Sequence, residues 1–180
     1  MKLHIKAKLI SIHNKMEVMD EADNVVYTVA SKALSITDKT YIKNAEGQEV
    51  AYIHSKVLTV HNTHFVEMAD GLKFSVSEEL FHITKDVLRL EELGWELRGD
   101  FFGHNYEIYD ENGALLAQCH KKWVTLHDIY CIDIMDDSKA DLLVAVFVVL
   151  GHIITDKRIV KAEAAGAVGA VAGAQKSKQD

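Results

Sequence analysis

Proline is absent from this 180-residue chain, and cysteine occurs only twice. Without proline, no strand or helix is interrupted by a missing amide, so turns must be sought at Gly, Asn and Asp. Cys119 and Cys131 form no CxxC and no metal-like spacing. That excludes a disulfide framework and fits a reducing compartment. Positive charge is also in deficit. Lys and Arg total 20 against 27 Asp and Glu, a formal charge of −7. Nucleic-acid binding, which depends on basic patches, is not expected. Long apolar runs are missing too: none reaches the roughly 20 residues of a membrane-crossing helix. The opening MKLHIKAKLISI breaks its apolar residues with charges, so it is not expected to be a signal peptide. A cytoplasmic location, peripheral to the membrane, is the expectation.

Hydrophobic residues make up 48% and charged residues 26%, ordinary values for a globular chain. The length suits one domain with a sizeable core, or one domain plus a tail. From residue 1 to 135 the pattern is short, mostly alternating segments divided by turn signals. These include Asp20–Asn24 (DEADN), Asn44–Gly47 (NAEG), Asp70–Gly71 and Asp110–Gly113 (DENG). Asn and Asp tolerate a left-handed backbone, and Gly supplies positive φ. About twelve strands fit this spacing.

The segments repeat. KLISI begins at Lys8, KALSI at Lys32 and KVLTV at Lys56, a step of 24 residues each time. A further copy lies 66 residues after the third, where KWVTL begins at Lys122. A step of this length holds two strands and their turns, so the repeating unit is a β-hairpin. Between Asn62 and Asp100 the repeat blurs, and the segment SEELFHITKDVLRLEEL, from Ser77 to Leu93, has room for a helical turn, with strand the expectation.

One segment is different. LLVAVFVVLGHII, Leu142–Ile154, has no wet face over its first nine residues. Ser138 and Asp141 form a capping-box pattern ahead of it. A helix apolar all round is buried in protein or spans a bilayer, and this one is short for a span. A helix of roughly 15 residues is about 22 Å long, close to a strand of about seven residues. The pattern therefore predicts a mainly β fold: a closed antiparallel barrel of about twelve strands around a central hydrophobic α-helix. A helix lying on an open sheet is the rival, but it should keep a polar stripe.

The segment Gly94–Trp123 (GWELRGDFFGHNYEIYDENGALLAQCHKKW), followed by Tyr130–Leu150 (YCIDIMDDSKADLLVAVFVVL), resembles the bacterial LURP-one-related proteins. Those belong to the superfamily of tubby C-terminal domains and phospholipid scramblases. The KLHIKAKLISI start and EVAYIHSKVLTV match the same pattern, and the likeness covers residues 2 to 158. It implies a twelve-stranded barrel around a central helix. The domain is expected over residues 1–158, with an Ala/Gly-rich tail at 159–180.

No reaction is announced. There is no GxSxG elbow, and GAVGAVAG (Gly166–Gly173) lacks the context of a phosphate loop. His61 and His64 in HNTH are expected as turn and surface histidines, since two histidines without further ligands make no metal site. Cys119 and Cys131 are expected as packed structural thiols, and His152 as a partner for the last helical carbonyls. No catalytic residue, metal or cofactor is expected.

The candidate site comes from the repeat. Lys8, Lys32, Lys56 and Lys122 occupy one repeat position, so they are expected near one rim of the barrel. Grouped ammonium groups suit an anionic lipid head group. The competing reading is that their stems cover apolar surface while the charges stay in water. His104, in GDFFGHNYE, is a further candidate ligand contact beside a structural reading. The resemblance adds weight to lipid, because tubby domains bind phosphoinositides and scramblases act on phospholipids. The expectation is a non-enzymatic binding or scaffold module for anionic phospholipid head groups or for a protein partner at the membrane surface. The alternatives are an enzyme with an unrecognised pocket and a scramblase-like membrane-active protein. No oligomeric state follows from the residues.

Overall fold

The computed structural model describes residues 1–6, 16–32, 39–57, 62–77, 87–124 and 127–154. The chain forms two compact units, Met1–Val149 and Leu150–Asp180. The first unit holds twelve strands. In chain order they are β1 (Lys2–Lys6), β2 (Met16–Met19), β3 (Val25–Lys32), β4 (Lys39–Asn44), β5 (Glu49–Val57) and β6 (Asn62–Met68). There follow β7 (Lys73–Ser77), β8 (Val87–Leu90), β9 (Trp95–Asp100), β10 (Asn105–Tyr109), β11 (Leu115–Val124) and β12 (His127–Ile134).

All twelve belong to one sheet, in the order β7-β6-β5-β4-β3-β2-β1-β12-β11-β10-β9-β8. Every hydrogen-bonded neighbour is antiparallel. The first and last strands of the chain pair in the middle of this order, from Lys2 opposite Asp133 to Lys6 opposite Ile129. The two outermost strands approach each other where Ser75 Oγ on β7 donates to Glu92 Oε1, 2.7 Å away, just after β8. The sheet is thus a nearly closed barrel, with β7 and β8 as its two edges.

The repeat is built into the backbone. Val18, Ile42 and Val66, spaced by 24, are each fully buried, and so is Ile108, 66 residues after Ile42. Two residues beyond each of these starts the same turn: Asp20–Asn24, Asn44–Gln48, Met68–Leu72 and Asp110–Ala114. The first amide donates to the fifth carbonyl at 2.8–3.0 Å, and the fourth amide donates back to the first carbonyl at 3.0–3.1 Å. The fourth residue must take positive φ: Asp23 (63°), Gly47 (78°), Gly71 (94°) and Gly113 (78°). This is a type I turn closed by a left-handed residue, a common hairpin connection.

The helix α1 covers residues 140–154. In the first unit, Leu143 through Val149 are all buried, with Phe147 the least so at 7%. A stretch covered on every face, in a unit otherwise built of one curved sheet, is enclosed by that sheet. In the second unit, residues 150–154 are helical, with Leu150, Ile153 and Ile154 buried. Among the described residues no helix is long and apolar enough to cross a membrane.

Three local expectations change. The cap is not Ser138 but Asp136, whose carboxylate accepts from the Ser138 amide at 3.0 Å and its hydroxyl at 2.6 Å. A 3-10 turn, Asp137–Lys139, then leads into α1, and Asp141 is engaged by Tyr27 instead. His64 is not at the surface. It is the third residue of β6, and its inward register makes it 4% exposed. The segment expected as strand holds β8, but Glu91–Leu93 is a 3-10 turn closed by Gly94 in left-handed conformation. Residues 78–86, His61, the end of α1 beyond Ile154 and the domain boundary near 158 lie outside the described residues.

Candidate binding rim

Strict antiparallel order gives the barrel two different ends. β1, β3, β5 and β11 all run the same way, since β12 lies between β1 and β11. At one end lie the tight turns, which carry acidic residues: Asp20, Glu21, Asp23, Glu46, Asp70, Asp110 and Glu111. The acidic groups serve the turns. Asp20 accepts from the Ala22 and Asn24 amides and from the Asn24 side chain, and these bonds hold its carboxyl below the usual range. Asp110 does the same for Asn112 and Ala114.

The opposite end is the rim of interest. Lys32 is the last residue of β3, Lys56 is next to last in β5, and Lys122 is third from last in β11. The backbone therefore brings these three repeat positions to the same end. Lys122 is exposed. Lys8 lies outside the described residues. Register adds Lys39, opposite Lys32. Lys6 ends β1 at the same rim, where Glu17, Asp100, Glu107 and Asp128 also lie within three residues of a strand end. Strand spacing of about 4.8 Å puts β3 and β5 about 10 Å apart and β11 about 19 Å from β3 along the wall. The lysine positions form an arc rather than a cage around one phosphate.

The inward face at this rim is mixed: Ile5, Val76, Leu88 and Tyr106 are buried near it, and buried polar residues gather among them. The buried polar residues Thr40, Ser55, His64 and His104 all lie at this end. Thr40 Oγ1 and Ser31 Oγ are 2.9 Å apart, and Ser55 is paired with His64 across β5 and β6. Burial, with a smaller contribution from His54, lowers the His64 pKa to about 4, so the ring is neutral at pH 7. On the far side, the His104 ring lies 4.5 Å from that of Tyr130, edge to face. Lys121 Nζ stands 5.7 Å from the same Tyr130 ring. His104 is 9% exposed and takes φ 55°, closing the turn by donating its amide to the Phe101 carbonyl at 3.1 Å. Its visible work is structural.

Neither cysteine is poised as a nucleophile. Both are buried, and burial pushes the Cys119 thiol up to about 12. Sequence reasoning missed Lys39 and the grouping of buried polar residues at this end, because both depend on which strand lies next to which. The alternation of polar residues at Ser31, Thr40, Ser55 and His64 was a signal only once the direction of each strand was known.

The LURP-one-related family model matches residues 1–151. The chain belongs to this family. No curated protein matches it. Among solved structures, the crystal structure of a protein from Arabidopsis thaliana is similar, with a TM-score of 0.51 and 13% identity. That likeness covers 84% of this chain and 91% of the other, and at this identity it is a likeness of fold. The LURP-one-related chain thus combines a nearly closed barrel with an enclosed helix.

Proposed function

We propose that this LURP-one-related chain is a non-enzymatic binding module, and that the lysine-bearing rim engages the anionic head groups of a phospholipid surface from the cytoplasmic side. The carrying observation is the common end shared by Lys32, Lys56 and Lys122, with acidic turns at the opposite end. A chain of formal charge −7 is repelled by an acidic surface unless its cations are grouped and its anions face away. In favour of grouping, Lys6, Lys32, Lys39, Lys56 and Lys122 share one rim with four carboxylate residues, while seven acidic residues of the tight turns lie at the far end. Lys39 supports the reading by adding a cation at the same end, opposite Lys32 in the backbone register. The arc suits a surface of several head groups, each near-surface lysine contributing about 1 kcal/mol. The resemblance to tubby domains and scramblases points the same way.

The experiment is co-sedimentation with liposomes of neutral lipid, with and without phosphatidylserine. Binding is expected only with the anionic lipid, and it should weaken as salt rises. Charge reversal at Lys32, Lys56 and Lys122 together should abolish it, with circular dichroism unchanged. Equal binding to neutral and anionic liposomes, or none to either, overturns the lipid reading and leaves a protein-binding scaffold.

A further inference from the structure

The outer wall of the barrel carries a row that no spacing in the sequence announces. Cys131 on β12 stands directly opposite His4 on β1 and directly opposite His120 on β11. Directly opposed residues share one face of a sheet, with Cβ atoms about 4.5–5.5 Å apart. The face is the outer one, because the alternate residues Leu3, Ile5, Cys119 and Ile132 are core. The small Cys131 side chain is sunk to 6% exposure between the two longer histidines. His4 Nε2 lies 2.8 Å from Asp23 Oδ1, so the carboxylate fixes one ring nitrogen and leaves Nδ1 as the other.

Asp23 is unusual in its own right. It holds the left-handed turn position that glycine fills in three equivalent turns, at Gly47, Gly71 and Gly113. Asp tolerates that conformation better than most residues with a side chain, and this one reaches a histidine.

We propose that His4, Cys131 and His120 bind a borderline-soft divalent cation of the zinc class, with Asp23 orienting His4. One thiolate and two imidazoles are a ligand set for such ions, and water completes the tetrahedron. A carboxylate on the remaining nitrogen of a ligating histidine is the usual outer support. Binding replaces the Cys131 thiol proton, which leaves to solvent. As the side chains stand, no group of three or more His, Cys, Asp and Glu among the described residues is placed to hold a metal ion. The ligands close on the ion by side-chain rotation. The bound ion clamps the first strand of the chain to the last two. This site is on the wall and does not depend on the lipid reading of the rim.

The test is titration of untagged full-length protein with Co2+ in a non-thiol reductant. One equivalent should bind with a thiolate-to-cobalt charge-transfer band in the near ultraviolet. Zn2+ should displace Co2+ and raise the melting temperature. Cys131→Ser should lose the band, and Asp23→Asn should weaken Co2+ binding about 10- to 100-fold. Absence of the band, or its persistence in Cys131→Ser, overturns the proposal. Should Cys131→Ser not fold, the His4→Gln, His120→Gln double variant decides, because both positions are on the outer face. Unchanged Co2+ affinity in that variant overturns the site, and loss of binding with an intact fold supports it.

Discussion

The Tyr27 hydroxyl donates a 2.7 Å hydrogen bond to Asp141 Oδ1, tying the third strand to the first turn of the enclosed helix. The ring is 6% exposed, while the carboxylate is at the surface. Burial first, then the Asp141 partner, raise the Tyr27 pKa far above its ordinary 10.0. The phenol therefore stays a donor at any ordinary pH.

Tyr27→Phe should lower stability by about 1 kcal/mol, because Asp141 is left to water rather than stranded. A melting-temperature fall of about 2–4 °C is expected. The penalty should shrink above pH 10, where the unfolded wild-type phenol ionises and the folded one does not. Urea unfolding of both proteins at pH 8 and pH 11 checks the sign.

His64 makes stability depend on mild acid. Its folded pKa is near 4, lowered from 6.5 by burial and then by His54. Above pH 6.5 both states are neutral there, and the contribution is fully present. Between pH 6.5 and 4 the unfolded chain binds the extra proton, so stability falls as pH falls. The loss is about 3 kcal/mol in all. His64→Gln should flatten this part of the urea midpoint against pH profile. An identical slope in the variant would show that other groups set it.

Two glycines should differ sharply. Gly47 takes φ 78° with nothing within 4 Å of an added Cβ. Gly47→Ala should cost about 1–2 kcal/mol, the price of left-handed backbone alone. At Gly99 (φ 127°) the Cβ would come within 2.5 Å of the Asn105 carbonyl oxygen on the paired strand. Gly99→Ala should cost clearly more, with the β9–β10 hairpin forced apart. Chemical denaturation of the two variants side by side gives the ranking.

Val146 has no exposed surface and lies in the fully covered part of the helix. Val146→Asp should prevent folding, because an unpaired buried charge costs several kcal/mol or more. Soluble expression with native circular dichroism would count against an enclosed helix.

Much of the architecture was legible in the residues. The 24-residue step among Lys8, Lys32 and Lys56 marked hairpins, and the structure shows matching turns at Asp20, Asn44, Met68 and Asp110. The unbroken apolar run from Leu142 to Leu150 demanded cover on all sides, and Leu143–Val149 receive it. Period, turn chemistry and total apolarity are local properties, so a single sequence carries them. The burial of His64 was not legible, since HNTH has no alternation strong enough to fix which face turns inward.

What only the tertiary structure decided is adjacency. His4 and Cys131 are 127 positions apart in the chain and opposite one another in the sheet. Lys39 meets Lys32 because β3 and β4 pair in one register rather than another. A one-residue slip would have separated both pairs and turned each strand inside out. Hydrophobic periodicity fixes that a strand has an inner face. The closure of the first strand on the last, set by packing of the whole wall around the helix, fixes which side chains meet on the outer one.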